Sequence, residues 1–590
     1  MDSPPRFWRP EFRFDHRADG SVLMQHTEDL PDYPQVLADY LDHWADKTPD
    51  QTWIARRAED GDWQRVSYAQ ARETARALGA ALLDLGLGAD RPLLILSENS
   101  LEHALLGMAA MYVGVPYAPL ATAYSLVSKD HGKIKDIANL LNPGAVFADD
   151  GAKYGPAIAA IAQQGRRVIN HRNLLAGAAS FDDLAQHDPA GSAAARAGLT
   201  GDSVAKYLFT SGSTGSPKAV INSNRMLCAS QAMVRDCYRF LEWQPPVVLD
   251  WAPWNHTAAG NKVSHLVLTN GGTFYIDDGK PTPDKFGETL RNLRDVACTW
   301  YFNVPVGYDM LIDELEADAA LAARFFSELG MLFYAGASMS QQTWDRISAL
   351  AQKITGRDFL LATGLGATET APFALACTDV QDRPGNVGVP SRGLTLKLVP
   401  QGDKLEARLK GPTVMPGYYG DTAKSSQAFD DEGFYKFGDA LRPADPDDFS
   451  KGFFFDGRLA ENFKLSTGTW VAVGALRAAL VDAMDGLIRD AVIVGEDQPQ
   501  LGALLWLSAK AEAMDDTART ALLQKKLSDF AQTATGSSGR IRRAVALPQA
   551  PSMDRGEATE KGSLNQRALR AHNTDLIESL YEGAQGVLLA

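Results

Sequence analysis

Tyr207–Val220 reads YLFTSGSTGSPKAV. Its opening residues end an apolar strand at Phe209, and its closing residues begin another. Between them, eight of the nine residues from Thr210 to Lys218 are Thr, Ser, Gly or Lys, and the ninth is Pro217. Gly212 and Gly215 let backbone N–H groups come close to a ligand. The hydroxyls of Thr210, Ser211, Ser213 and Thr214 add donors, and Lys218 adds a fixed positive charge. Such a loop suits phosphate oxygens. It is not a Walker A loop, because G-x-x-x-x-G-K-[ST] counted from Gly212 puts Pro217 where glycine must stand. A flexible Ser/Gly linker is the plainer reading, but linkers seldom join two apolar strands.

Downstream of this loop, short apolar runs alternate with helix-length amphipathic segments. Val247–Trp251, Thr273–Ile276, Cys298–Phe302, Met331–Tyr334 and Phe359–Ala362 read as buried strands. Pro305–Leu315 and Ser340–Ile354 read as helices between them. The alternation predicts an α/β fold with largely parallel strands, whose ligands sit at the carboxyl ends of the strands. The polar stretch RPADPDDFSKG, Arg442–Gly452, precedes a fresh α/β pattern with its own strand at Asp490–Val494. The expected architecture is a large N-terminal domain, 1–456, of parallel-rich sheets with flanking helices. A small, mobile α+β domain, 457–590, follows it.

Composition is that of an ordinary globular chain: 590 residues, 45% apolar, 22% charged. A formal charge of -15 disfavours non-specific nucleic acid binding. The four cysteines, Cys228, Cys237, Cys298 and Cys377, show no Cys-x-x-Cys spacing, so no zinc site or disulfide framework is expected. The polar N-terminus lacks a signal peptide's apolar stretch, and Ala104–Thr122, interrupted by glycines and prolines, reads as a buried helix and turn rather than a span. The expected location is the cytoplasm, as a monomer or homodimer.

The Tyr207–Val220 string resembles the signature of the adenylate-forming superfamily of acyl-CoA synthetases, peptide-synthetase adenylation domains and luciferases. Further stretches follow that family's order. LATGLGATETAPF, Leu361–Phe373, resembles its second signature. The resemblance implies that Gly364, Leu365 and Gly366 lie against adenine, Thr368 binds a phosphate oxygen and Glu369 holds Mg²⁺. Leu365 stands where the family usually has an aromatic, which implies altered stacking on the base. FYKFGDA, Phe434–Ala440, resembles the motif whose aspartate, here Asp439, accepts hydrogen bonds from both ribose hydroxyls. Alone, a Gly-Asp pair would read as a turn.

FDGRLAENFKLSTGTW, Phe455–Trp470, resembles the hinge motif. Arg458 would reach the ribose and Lys464 the nucleotide phosphate. The pivot position holds Ala460, with Glu461 next to it, so the pivot residue is open. TEKGSLNQRALR, Thr559–Arg570, resembles the C-terminal lysine motif. Aligning its end puts Ser563 at the lysine position, whereas the K-G-x-x variant favours Lys561, the residue assigned here. In WAPWNHTAAGN, Trp251–Asn261, His256 would line the acyl pocket, against the plainer reading of a histidine satisfied in the core. In FYAGASMS, Phe333–Ser340, Gly336 and Ala337 would flank adenine and the acyl group. Trp254, Tyr301, Phe302 and Asn303 could form an aromatic pocket with a polar end, or be ordinary core residues.

The resemblance implies ATP, Mg²⁺ and coenzyme A as partners of a small carboxylic acid. A carboxylate and ATP are both anionic, so the site must supply cations and oriented dipoles rather than an acid–base pair. Tyr117–Ile137, the stretch FKLSTGTW and the terminal EKGSLNQRA resemble the feruloyl-CoA synthetases. They imply a hydroxycinnamic acid such as ferulate, in the breakdown of aromatic acids. The rivals are a CoA ligase for another acid, a free-standing adenylation domain loading a carrier protein, a luciferase-like oxygenase and a non-catalytic binding protein. No appended carrier segment is expected from the sequence.

Overall fold

The protein is described by a computed structural model covering residues 6–163, 165–210, 217–558, 564–584 and 586–590. Ser211, Gly212, Ser213, Thr214, Gly215, Lys561 and Ser563 therefore lie outside the described residues. Among those described, one sheet runs in the order Lys218–Ser223, Val204–Thr210, Tyr117–Pro119, Leu93–Ile95, Ala145–Asp150, Arg167–Arg172 and Ala179–Ser180. All of its neighbours are parallel except the first two, a hairpin in which Thr210 faces Lys218. A second sheet holds Val247–Asp250, Thr273–Ile276 and Thr52–Arg57 in parallel, with Trp63–Ser67 antiparallel at its edge. Trp300–Asn303, Met331–Tyr334 and Leu361–Ala362 form a third, fully parallel sheet.

The five strands expected between Val247 and Ala362 are among these, two of them starting two residues later. The run from Cys298 pairs only from Trp300, because the Thr299 N–H bonds the Val247 carbonyl at 3.0 Å and its hydroxyl accepts the Val247 N–H at 2.8 Å. That exchange stitches the third sheet to the second. The run from Phe359 likewise enters the ladder only at Leu361. Helix Gln341–Thr355 begins where Ser340 caps the Thr343 N–H at 3.0 Å and ends at Gly356, whose φ is +70°. Trp344, Ile347, Leu350 and Ala351 form its buried stripe.

Two expectations need correction. Ala104–Thr122 is not helix and turn alone: helix Leu101–Tyr112 leads into Tyr117–Pro119, a strand inside the first sheet. Proline at the last strand position costs one donor there, which the short three-residue strand tolerates. The largest sheet is not parallel-rich. Its nine strands, from Phe12–His16 to Gly364–Leu365, pair antiparallel throughout. It recruits the N-terminal hairpin and the alternating strands of 386–458, which helix-crossover reasoning passes over.

The C-terminal unit has its own core around Leu480, Ile493, Leu505 and Leu527, under a mixed sheet of Ile488–Val494, Leu501–Leu507, Ile541–Ala546 and Leu588–Leu589. It touches the large unit where the Asp554 carboxylate accepts the Lys129 N–H at 3.3 Å. Strand Phe453–Arg458 crosses position 456, so the antiparallel sheet keeps the chain to Arg458. All four cysteines are buried and free. Among the described residues no helix is long and apolar enough to cross a membrane.

Candidate functional site

Thr210 and Lys218 are cross-strand neighbours, the last pair of the ladder between Val204–Thr210 and Lys218–Ser223. Segment 417–419 lies alongside the second hairpin strand. The Tyr419 N–H bonds Ala219 O at 2.9 Å, and Ile221 N–H bonds Gly417 O at 3.3 Å. This brings the Tyr418 ring to 5.0 Å from the Lys218 ammonium. The Tyr418 hydroxyl in turn donates to Glu369 Oε1 at 3.0 Å. Burial, then the adjacent Glu369 charge, push that phenol well above its ordinary pKa, so it stays a donor.

Glu369 sits in the single 3₁₀ turn Thr368–Thr370. The Thr370 hydroxyl accepts the Ala367 N–H at 2.9 Å, and Glu369 O accepts the Met415 N–H at 2.9 Å. The approach to this turn is tight enough to exclude side chains. A Cβ at Gly366 would fall 1.4 Å from Pro372 O, and one at Gly364 would fall 2.6 Å from Leu375 O. Glycine is required at both for space. Leu365, between them, packs on the large core and pairs with Leu375. Thr368 is half-buried at the start of the turn, while Glu369 is 9% exposed.

Asp439 and Arg458 face each other on neighbouring antiparallel strands, with Arg458 Nε 3.7 Å from Asp439 Oδ1. The aspartate is 8% exposed, whereas the arginine side chain is 67% exposed and can swing. The Asp439 carboxyl is raised to about 6, chiefly by burial, with Arg458 opposing the rise and the charges of Glu461 and Glu369 adding to it. Glu369 and Asp439 thus lie in one electrostatic neighbourhood. Tyr435 lies between them, its phenol raised by burial and then by Glu369, Tyr418 and Asp439. A buried carboxyl whose pKa is raised, beside an exposed guanidinium, is poised to gain from donors a ligand brings.

Gly336 and Ala337 are exposed just past strand Met331–Tyr334, and Gly336 has φ +90°. They join the same region through Phe333, whose ring lies 3.8 Å from the Cβ position of Gly364. Thr210, Lys218, Thr368, Glu369, Asp439 and Arg458 are therefore linked through the two tyrosines. His256 sits half-buried in the turn before a π-helix, Ala258–Val263, its carbonyl accepting the Gly260 N–H at 2.7 Å. Lys464 is exposed in the C-terminal unit, its ammonium 4.9 Å from the Trp470 ring. Among the described residues it makes no bond to Thr368, Glu369 or Asp439.

The expected aromatic pocket is divided. Tyr301 and Asn303 point one way, with Asn303 Nδ2 donating to the Tyr301 hydroxyl at 2.9 Å, into the core of Tyr308 and Phe325. Phe302 points the other way towards Phe333, and Trp254 packs on His103 and Phe274. Strand alternation separates them. Sequence reasoning also missed Tyr418. The GYYG run, Gly417–Gly420, was its signal: two glycines at positive φ holding a pair of tyrosines.

Among the described residues no cluster of three or more His, Cys, Asp or Glu could hold a metal by itself. Mg²⁺ does not need one. It is bound through one or two carboxylates plus substrate phosphates. Glu369 fits, since Tyr418 occupies Oε1 while Oε2 receives no hydrogen bond from a described residue.

A family model described as AMP-binding enzyme matches residues 41–419, and one described as AMP-binding enzyme C-terminal domain matches residues 463–585. The chain is 26% identical over 543 residues to a carboxylic acid reductase of Mycobacterium marinum, covering 82% of this chain and 44% of that protein. It is 26% identical over 491 residues to a 3-hydroxybenzoate–CoA ligase of Aromatoleum, covering 80% of this chain and 85% of the ligase. The adenylation domain of the Segniliparus rugosus carboxylic acid reductase, solved with AMP and a carboxylic acid, superposes with a TM-score of 0.70 at 19% identity, covering 93% of this chain and 94% of that one. The chain spans less than half the length of the mycobacterial carboxylic acid reductases it matches.

Proposed function

Because the chain belongs to the AMP-binding enzyme family, we propose that it activates a carboxylic acid as its acyl-adenylate and passes the acyl group to coenzyme A. The observation that carries this is the convergence of Lys218, Tyr418 and Glu369 with the Asp439–Arg458 pair from four separated segments. One half offers a cation and a metal-competent carboxylate for phosphates. The other offers a buried carboxyl and a guanidinium for a ribose.

In the first step a carboxylate oxygen attacks the α-phosphorus of ATP. An acyl O–P bond forms, and the bond to pyrophosphate breaks. Lys218, with the hydroxyl-rich loop behind Thr210, neutralises the phosphate oxygens. Mg²⁺ on Glu369 supplies further charge compensation when bound. Tyr418 orients Glu369, and Asp439 with Arg458 holds the nucleoside in register. In the second step the thiol sulfur of coenzyme A attacks the acyl carbon and AMP leaves. A thiol of ordinary pKa needs little activation.

The division into two domains belongs to this proposal. Lys561 would act from the C-terminal domain, Lys464 would reach the phosphate after domain rotation, and His256 would line the acyl channel. The hinge would begin after Arg458, two residues beyond the expected boundary, because the sheet holds the chain that far. The acid would be an aryl acid of the hydroxycinnamate type. The likeness of three stretches to feruloyl-CoA synthetases supports this, as does the match to a 3-hydroxybenzoate–CoA ligase over most of its length. Transfer to a carrier-protein thiol is the second reading, favoured by the identity to carboxylic acid reductases.

Acid-dependent exchange of labelled pyrophosphate into ATP, across cinnamic, benzoic and fatty acids, tests the first step. Absence of exchange with every acid would overturn the proposal. AMP release that coenzyme A does not accelerate would favour the carrier reading.

A further inference from the structure

Lys262 lies in the π-helix Ala258–Val263 and is 5% exposed. Its ammonium is 3.4 Å from the centre of the Phe333 ring, 4.9 Å from that of Phe373 and 5.7 Å from that of Trp300. Among the described residues its ammonium makes no hydrogen bond or ion pair beside these ring contacts. Other buried lysines are provided for. Lys206 donates to Gly260 O at 2.9 Å, and Lys397 pairs with Asp430 at 3.1 Å and with Glu432. Ring faces attract a cation, but they replace only part of the hydration it has lost.

The π-turn fixes this side chain. The carbonyls of Asn261 and Lys262 both accept from Gln231 Nε2, at 2.9 and 3.0 Å. Two of the three rings come from segments that the proposed site already uses. Phe333 opens the run to Gly336 and Ala337, Phe373 closes the run through Gly364 and Glu369, and Trp300 begins the strand that flanks Met331–Tyr334. The Phe333 ring joins the ammonium to the Gly364 backbone. Burial lowers the Lys262 ammonium to about 7, and Cys237 is the neighbouring titratable group that opposes the shift.

We propose that Lys262 is a specificity-determining residue that receives the far end of the acid, and that the acid is an aryl acid carrying a ring hydroxyl there. The rings of Phe333, Phe373 and Trp300 would pack on the substrate's ring, and the ammonium would donate to the phenolic oxygen, stabilising its ionised form. A substrate without that oxygen leaves the ammonium without an acceptor, and such sites discriminate strongly against the analogue that lacks the group. This rests on the adenylation reading and narrows it to a substrate class.

The test compares 4-hydroxycinnamate with cinnamate in pyrophosphate exchange, for the wild type and Lys262→Met. The wild type should prefer the hydroxylated acid by at least ~30-fold in kcat/KM, and Lys262→Met should bring that ratio close to one. An equal loss for both acids, or an unchanged ratio, overturns the proposal. A wild type that exchanges with neither these nor any other acid overturns the adenylation reading itself. A second measurement does not depend on turnover or on the variant folding. Bound 4-hydroxycinnamate should show the red-shifted near-UV absorbance of a phenolate, and an unshifted spectrum on the wild type overturns the assignment.

Discussion

Asp439→Asn should stabilise the empty protein and weaken its grip on AMP. The carboxyl is 8% exposed and raised from 3.8 to about 6, with burial the largest cause. That rise means the ionised form is worse off in the folded protein than in the unfolded chain by ~3 kcal/mol. The sign follows from the direction of the shift. Below pH 3.8 the group is protonated in both states and carries no penalty; the penalty grows as pH rises through about 6 and is complete above it. Asparagine removes the charge and keeps the shape, so at pH 8 the variant should melt ~3 °C higher. The gap should close as the pH is lowered towards 4. Binding changes in the opposite direction. Asparagine keeps one acceptor of the two that ribose hydroxyls would use and loses the charge, which costs ~2–3 kcal/mol, or ~30- to 150-fold in AMP affinity at pH 8. Wild-type affinity should also fall as pH drops below about 6, where Asp439 protonates, while the variant's stays flat. Thermal melts and AMP titrations at pH 5 and pH 8 measure both effects. A variant that melts lower than wild type at pH 8, or binds AMP equally well, refutes the reasoning.

Glu369→Gln should lower pyrophosphate exchange ~10²-fold at saturating Mg²⁺, and Tyr418→Phe, which removes only the donor to Glu369, should chiefly raise the Mg²⁺ concentration needed for half-maximal rate. A Tyr418→Phe variant with an unchanged Mg²⁺ requirement would remove that tyrosine from the site. Gly366→Ala should cost ~3 kcal/mol in chemical denaturation, because its Cβ would fall 1.4 Å from the Pro372 carbonyl oxygen. Wild-type stability in that variant would contradict the described path of the loop.

The parallel part of the fold was legible because its strands are buried on both faces and read as unbroken apolar runs, such as Met331–Tyr334. The antiparallel sheet was not. Strands such as Lys404–Lys410 carry charges on alternating positions, and the sheet also joins strands far apart in sequence, such as Val22–His26 and Thr395–Gln401. The residues proposed for the phosphate side stood out because glycine spacing and hydroxyl content are local properties. Tyr418 was hidden because its role depends on three segments meeting, which no single window of sequence reports. The aromatic pocket misled for a related reason: Tyr301 and Phe302 are adjacent in the chain and therefore opposed across the sheet. Lys262 was missed because a lone lysine inside a small-residue helix reads as a solvated side chain.

The π-turn at Ala258–Val263 is a segment where the count of residues, rather than their identity, sets direction. Each residue of an α-helix advances the screw by about 100°, and a π-turn is the imprint of one residue more than the regular screw would hold. Excising a single alanine there would rewind the turn and aim position 262 at a different wall of the molecule. A lineage could thus replace the cation that the rings of Phe333, Phe373 and Trp300 surround by losing one codon.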